Sequence, residues 1–126
     1  IDRETGYARG RHADGSWITP FEPNNFVSYI CEGTPYHYTW YVPQDVAGLI
    51  EHIGGKDRFT ERLDRFFEEE YYWHGNEPCH HVAYLFNYAG QPWKTQKWVQ
   101  HVIDKEYYIT PDGLCGNDDA GHMACI

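Results

Sequence analysis

The chain has 126 residues, enough for one small domain with a hydrophobic core. Its formal net charge of −9 argues against nucleic acid or a membrane surface as partner, because both require clustered Lys and Arg. No apolar stretch approaches the roughly 20 residues that span a bilayer. Aromatic residues make up 17% of the chain, which suits a packed core and also stacking against sugar rings.

The first 42 residues predict loops. Gly and Pro recur throughout this stretch, and its apolar residues show no helical periodicity. Only the run Tyr36–Val42 (YHYTWYV) has strong β character. It predicts a short strand or an extended segment.

Four apolar stripes with helical spacing follow, and they occupy Val46–Ile53, Phe59–Phe67, Val82–Ala89 and Trp98–Ile103. The links between the first and second stripes, and between the third and fourth, are short, so we expect two antiparallel helical hairpins. Residues 109–121 (ITPDGLCGNDDAG) return to loop. The pattern predicts a mainly α domain with long loops. These loops carry many Trp, Tyr, Pro and acidic residues, and loops of such length are usually functional or disordered.

The four cysteines are Cys31, Cys79, Cys115 and Cys125. An even count allows two disulfides in three connectivities. The chain has no Cys-x-x-Cys pair, and the spacings match no small secreted scaffold. Buried free thiols are the prediction.

Three loop motifs carry candidate chemistry: CEGTP around Glu32, HGNEPCHH around Asn76 and Glu77, and GNDD with Asp118 and Asp119. A carboxylate in an aromatic-rich pocket acquires a raised pKa and can act as a general acid, while one in a wetter loop stays ionised and can act as a base. Two such groups about 6.5–9.5 Å apart suit inverting glycoside hydrolysis. The alternatives are a turn or cap for Glu32 and an Asx-turn or N-cap for the aspartates.

The HGNEPCHH stretch admits two kinds of metal site. Asn76 and Glu77 offer oxygen ligands of the kind that Ca²⁺ prefers, although they also suit a helix N-cap ahead of Pro78. A zinc site would use the soft ligands Cys79, His80, His81 and His122, with Cys115 or Cys125. This spacing matches no standard zinc signature, which favours the oxygen ligands.

Joined in order, the motifs resemble the catalytic domain of glycoside hydrolase family 92, the calcium-dependent exo-acting α-mannosidases. The matching stretches are RHADGSWITPFEP (residues 11–23), EGTPYHYTWYVPQDVAGLI (32–50), GNEPCHHVAYLFNYAGQPWKTQ (75–96) and PDGLCGNDDAGHM (111–123). The resemblance implies a portion of an (α/α)6 barrel built from helical hairpins. Residues 1–126 would form a single segment of that barrel, without the family's N-terminal β-sandwich domain and the remaining barrel helices.

The resemblance also implies roles for individual residues. Glu32 stands where the family has its general acid, and Asp119 stands at the general base position, with Asp118 beside it. Asn76 and Glu77 fall in the motif that contributes to the family's calcium site. The implied substrate is an α-mannoside glycan, hydrolysed with inversion, and the implied compartment is secreted or periplasmic. The rest of the parent chain would be needed to complete the fold.

The chain departs from the family pattern at several positions. Thr34 and His37 stand where the family usually has Asn and Gln, and Cys115, His122 and Cys125 also differ. None of these changes removes a carboxylate, but they bear on substrate contacts and specificity. Two other hypotheses stay open. The short length and the missing domain suggest a non-catalytic carbohydrate-binding fragment, and the excess of Cys and His near the motifs suggests a zinc-stabilised structural module.

Overall fold

The computed structural model describes residues 1–117 and Asp119. Five α-helices occur in this part of the chain: α1 (Pro35–Thr39), α2 (Val46–Ile53), α3 (Lys56–Glu68), α4 (Leu85–Tyr88) and α5 (Pro92–Glu106). Two 3₁₀ turns, Glu77–Cys79 and Val82–Tyr84, precede α4. The described residues contain no extended strand, only two isolated bridges. The mainly α prediction is confirmed.

Short links join the two predicted helix pairs, and the members of each pair are in contact. Helices α2 and α3 are joined by Gly54 and Gly55, and helix α4 is joined to α5 by a link of three residues. Gly54 ends α2 at a φ of 113°, a left-handed conformation that favours glycine. None of the helices within residues 1–117 is long and apolar enough to cross a membrane.

The prediction of a strand or extended segment over Tyr36–Val42 is wrong, because this run opens with α1. Thr34 caps the helix, and Pro35 supplies a favourable φ in its first turn. The Thr34 hydroxyl accepts from the His37 backbone N–H, and His37 Nδ1 accepts from the Thr34 N–H in return. This reciprocal capping box outweighs the β propensity of the aromatic side chains.

The third apolar stripe does not form one continuous helix. It winds as the 3₁₀ turn Val82–Tyr84 and then as the single-turn helix α4. The ψ angles of His81, Tyr84 and Leu85 are −14°, −12° and −24°, values typical of 3₁₀ winding. Its apolar residues are still buried, so the stripe predicted the buried face correctly and the winding incorrectly.

The core is an aromatic cluster between α1, α3 and α5. Phe66 of α3 is fully buried and packs edge-on against Tyr36 of α1, with ring centroids 4.7 Å apart. Phe67 stacks on Trp98 of α5 at 4.8 Å. Trp98 also donates from Nε1 to Asp64 at 2.9 Å, which ties α5 to α3 through a polar contact.

The N-terminal loop is fastened to this core by polar contacts. The Thr39 hydroxyl accepts from the Ala8 N–H at 2.8 Å and donates to the Pro35 carbonyl at 2.7 Å. A largely buried ion pair joins Arg9 Nη1 to Asp2 Oδ2 at 3.1 Å. The first 34 residues therefore form an ordered loop layer, as their Trp, Tyr and Pro content suggested.

Candidate active site

Glu32 lies in the loop that leads into α1, and its backbone is left-handed. Its φ is 56°, a conformation that non-glycine residues seldom adopt. Its side chain is exposed, so the enclosing aromatic pocket expected for this carboxylate is not present within the described residues. The next residue, Gly33, is buried against the ring of Tyr38.

Asn76 joins the second motif to the first. Its side chain is buried and donates from Nδ2 to the backbone carbonyl of Glu32 at 2.6 Å. The two residues are 44 positions apart in sequence, so this is a tertiary contact. Asn76 occupies the N-cap position of the following 3₁₀ turn, as the alternative predicted, but its side chain makes no capping hydrogen bond there.

Glu77 has a carboxylate oxygen that no neighbouring group in the described part of the chain stabilises. Its Oε1 atom is buried and has no hydrogen-bond partner among the described residues. A buried carboxylate oxygen without a donor or a cation is costly. Burial raises the pKa of the Cys115 thiol to about 11, and the Glu77 carboxylate adds a smaller electrostatic contribution in the same direction.

The third motif meets the second through two glycines. A Cβ atom at Gly116 would lie 2.4 Å from the carbonyl oxygen of Gly75, closer than real contacts allow. Gly116 also has a φ of 67°, which again favours glycine. The GNDD motif therefore begins at a residue that contacts Gly75, the neighbour of Asn76 in sequence. The three motifs, far apart in sequence, lie next to one another.

Asp119, the expected general base, lies among the described residues. Asp119 is exposed and has a φ of 32°. Asp118 lies outside the described residues, as do His122 and Cys125. The contact between Gly75 and Gly116 brings the loop that carries Asp119 to the site.

The histidines of HGNEPCHH are engaged in the fold. His74 is buried, with Nδ1 2.6 Å from the Tyr72 hydroxyl and Nε2 2.6 Å from the Tyr107 hydroxyl. His80 Nε2 donates to the His74 carbonyl, and His81 Nε2 donates to the Trp40 carbonyl, both at 3.0 Å. These rings link the second motif to the ends of α1, α3 and α5.

The zinc interpretation finds no support in residues 1–117. This part of the chain holds no group of three or more His, Cys, Asp or Glu side chains placed to share an ion. Cys79 is buried and free, and burial raises the pKa of its thiol to about 12. Cys31 is also free, but it is exposed, contrary to the prediction of buried thiols.

Sequence reasoning missed Tyr38. Its hydroxyl donates to the carbonyl of Cys31 at 2.9 Å, and its ring packs over Gly33. The missed signal was the capping box of α1. Once Thr34 is taken as the N-cap, Tyr38 falls on the first turn, where side chains point back toward the residues that precede the helix.

The whole chain, residues 1–126, matches the family model described as the glycosyl hydrolase family 92 catalytic domain. The chain therefore belongs to glycosyl hydrolase family 92, as the sequence motifs predicted.

Its relatives have glycosidase names. A family GH92 α-mannosidase from Bacteroides thetaiotaomicron superposes with a TM-score of 0.88 at 53% identity, over 98% of this chain and 17% of its own. A family GH92 inverting mannosidase from strain VPI-5482 of that species gives 0.86 at 31% identity, over 98% of this chain and 20% of its own. An uncharacterized secreted glycosidase from Arthroderma benhamiae is 29% identical over 94% of this chain and 17% of that protein.

The chain thus spans a fifth or less of the length of each of these relatives.

Proposed function

We propose that the protein containing this chain hydrolyses terminal α-linked mannose from glycans, with inversion at the anomeric carbon. The observation that carries the proposal is the Asn76–Glu32 hydrogen bond together with the Gly75–Gly116 contact, because they gather all three motifs at one place. Family membership supports glycoside hydrolysis, and the names of the relatives support mannose as the sugar.

In this proposal Glu32 is the general acid. It protonates the glycosidic oxygen as the bond to the anomeric carbon breaks. Asp119 is the general base, takes a proton from water on the opposite face of the sugar, and has Asp118 beside it. A gap of about 6.5–9.5 Å between the two carboxyl groups would leave room for that water.

A calcium ion is the cofactor that these residues suit. Glu77 Oε1 is a buried carboxylate oxygen without a partner in the described chain. The Asn76 side-chain oxygen would be a second ligand of the preferred oxygen type, and it is neutral. When bound, a hard cation at this place would engage vicinal hydroxyls of the mannose ring and favour its distortion. Glu77 and Asn76 would hold the ion, and backbone oxygens would add ligands.

The proposal is tested with the full-length protein on a mannose disaccharide, following the first-released anomer by NMR. We expect inversion, loss of activity in chelator and recovery with added Ca²⁺. Glu32→Gln should lower the rate by about 10²–10⁴-fold, whereas Glu51→Gln, an exposed change on α2, should not. Retention of configuration would refute the mechanism, and binding of mannosides without hydrolysis would instead favour the carbohydrate-binding alternative.

The proposed calcium ligand Glu77 is tested by the Ca²⁺ requirement of two variants. Glu77→Gln should raise the Ca²⁺ concentration needed for half-maximal activity, because the substitution removes a charged ligand. Glu68→Gln, an exposed change at the end of α3, should leave that concentration unchanged. Equal calcium requirements in wild type and Glu77→Gln would remove Glu77 from the site.

We also propose that the protein acts outside the cytoplasm. This rests on the Arthroderma benhamiae relative, which is described as secreted. Fractionation of the native host would test it.

A further inference from the structure

Both peptide carbonyls that flank the Glu32 backbone are held by side chains. The preceding carbonyl, of Cys31, accepts from the Tyr38 hydroxyl at 2.9 Å. The carbonyl of Glu32 itself accepts from Asn76 Nδ2 at 2.6 Å. A left-handed glutamate is a strained conformation and persists only where its surroundings hold it in place. These two hydrogen bonds supply that restraint.

The two restraining side chains use their protons on neighbouring peptide groups. The Tyr38 hydroxyl gives its proton to the Cys31 carbonyl, and the Asn76 amide gives one of its two protons to the Glu32 carbonyl.

This arrangement fixes the orientation of the Asn76 amide. A flipped amide would place its oxygen against the Glu32 carbonyl, where neither group has a proton to donate. The amide oxygen therefore faces away from the Glu32 turn. It is left as the acceptor available for a cation or a sugar hydroxyl.

The Tyr38 ring adds a steric restraint on the same turn. A Cβ atom at Gly33 would lie 2.7 Å from Tyr38 Cε2, so the ring sits directly on the buried glycine. The turn is thus gripped by the ring at residue 33 and by hydrogen bonds at residues 31 and 32. Removing only the hydroxyl would leave the ring contact in place and release one hydrogen bond.

We propose that Tyr38 is a positioning residue for the Glu32 carboxyl. It acts by clamping the left-handed turn at the Cys31 carbonyl and at Gly33, beside the hydrogen bond that Asn76 donates to the Glu32 carbonyl. The inference rests on the proposed role of Glu32 as general acid. It goes beyond that role in assigning a function to a residue that does not itself exchange a proton with the substrate.

The test exploits leaving-group chemistry in the full-length protein. Hydrolysis of an α-mannose disaccharide needs protonation of a poor leaving group, whereas a 2,4-dinitrophenyl α-mannoside leaves without it. Tyr38→Phe should lower kcat/KM on the disaccharide on the order of ten- to a hundred-fold, because a small misplacement of a reacting group is costly. On the dinitrophenyl substrate the loss should be under about twofold.

Two reference variants separate the possible outcomes. Glu32→Gln should show a larger loss on the disaccharide than on the dinitrophenyl substrate, in the same direction as Tyr38→Phe. Tyr84→Phe, at a tyrosine that is 39% exposed, should change neither rate. If Glu32→Gln lacks this difference between the substrates, the proposed function fails. If Glu32→Gln has the difference but Tyr38→Phe slows both substrates equally or neither, the positioning role is overturned. Equal melting temperatures of Tyr38→Phe and wild type would confirm that the variant is folded.

Discussion

Thr34 and His37, two positions where the sequence analysis expects a departure from the family pattern, together form the cap of α1. Each accepts a hydrogen bond from the other's backbone N–H, at 3.3 Å for the Thr34 hydroxyl and 3.1 Å for His37 Nδ1. His37 Nε2 donates to the Tyr71 carbonyl at 2.8 Å, which fixes the neutral tautomer with its proton on Nε2. These two residues therefore form a cap directly after the Glu32 turn.

This cap predicts a pH dependence. Burial lowers the pKa of His37, so the folded state binds its proton less readily than the unfolded state. The stability contributed by neutral His37 is complete above the unfolded pKa of about 6.5 and is lost as the pH falls from there toward the folded pKa. Protonation of Nδ1 would also break its bond to the Thr34 N–H.

His37→Gln should weaken this dependence, because glutamine can accept the same N–H and does not titrate. The measurement is the urea unfolding midpoint of both proteins between pH 5 and 8. We expect the wild type to lose more stability than His37→Gln as the pH falls below about 6.5. His52→Gln, an exposed change on α2, serves as the control. Parallel curves for wild type and His37→Gln would contradict the prediction.

At the scale of elements, α1 connects the N-terminal loop to the candidate site. It is only five residues long, and Thr39 at its end accepts from the loop and donates within the helix. A helix this short is not stable alone, so these contacts and the capping box hold it. The apolar stripes predicted α2, α3 and α5 because each buries one face of a regular helix. They did not predict α1, whose cap depends on a histidine that takes the place of the usual Glu or Gln.

Thr39→Val should separate the loop from α1. The partly buried Ala8 N–H would lose its acceptor, at a cost of about 1–3 kcal/mol or less in the free energy of unfolding. Thr39→Ser keeps the hydroxyl and should cost less. Chemical unfolding of the three proteins measures the difference, and valine matching wild type would show that the loop is held by other contacts.

At the scale of the whole molecule, the described chain leaves large aromatic side chains uncovered. Tyr88, Trp93 and Tyr108 are 61%, 58% and 62% exposed. The two structures that share its fold are roughly five to six times as long as this chain, since the chain covers only 17% and 20% of them. Exposed apolar surface on this scale is typical of a face that contacts other protein.

We expect the 126-residue chain, expressed alone, to hydrolyse mannosides poorly and to self-associate. A glycosidase needs several sugar contacts besides its acid and base, which a short chain does not supply. The exposed aromatic side chains of the isolated chain would bind those of other copies. Light scattering and a mannosidase assay, run beside the full-length protein, check both expectations. A monodisperse and fully active chain would disprove this prediction.

The sequence alone determined the class of fold, the family and the motifs that carry the candidate chemistry. Helical period and residue type are local properties, and GNEP and GNDD can be read without coordinates. The tertiary structure decided what those motifs contact: Asn76 reaches back 44 residues to the Glu32 carbonyl, and Gly116 fits against Gly75. It also reassigned the histidines of HGNEPCHH, whose ring nitrogens bond to carbonyl and hydroxyl groups. Such contacts depend on chain packing between distant segments, which no local pattern encodes.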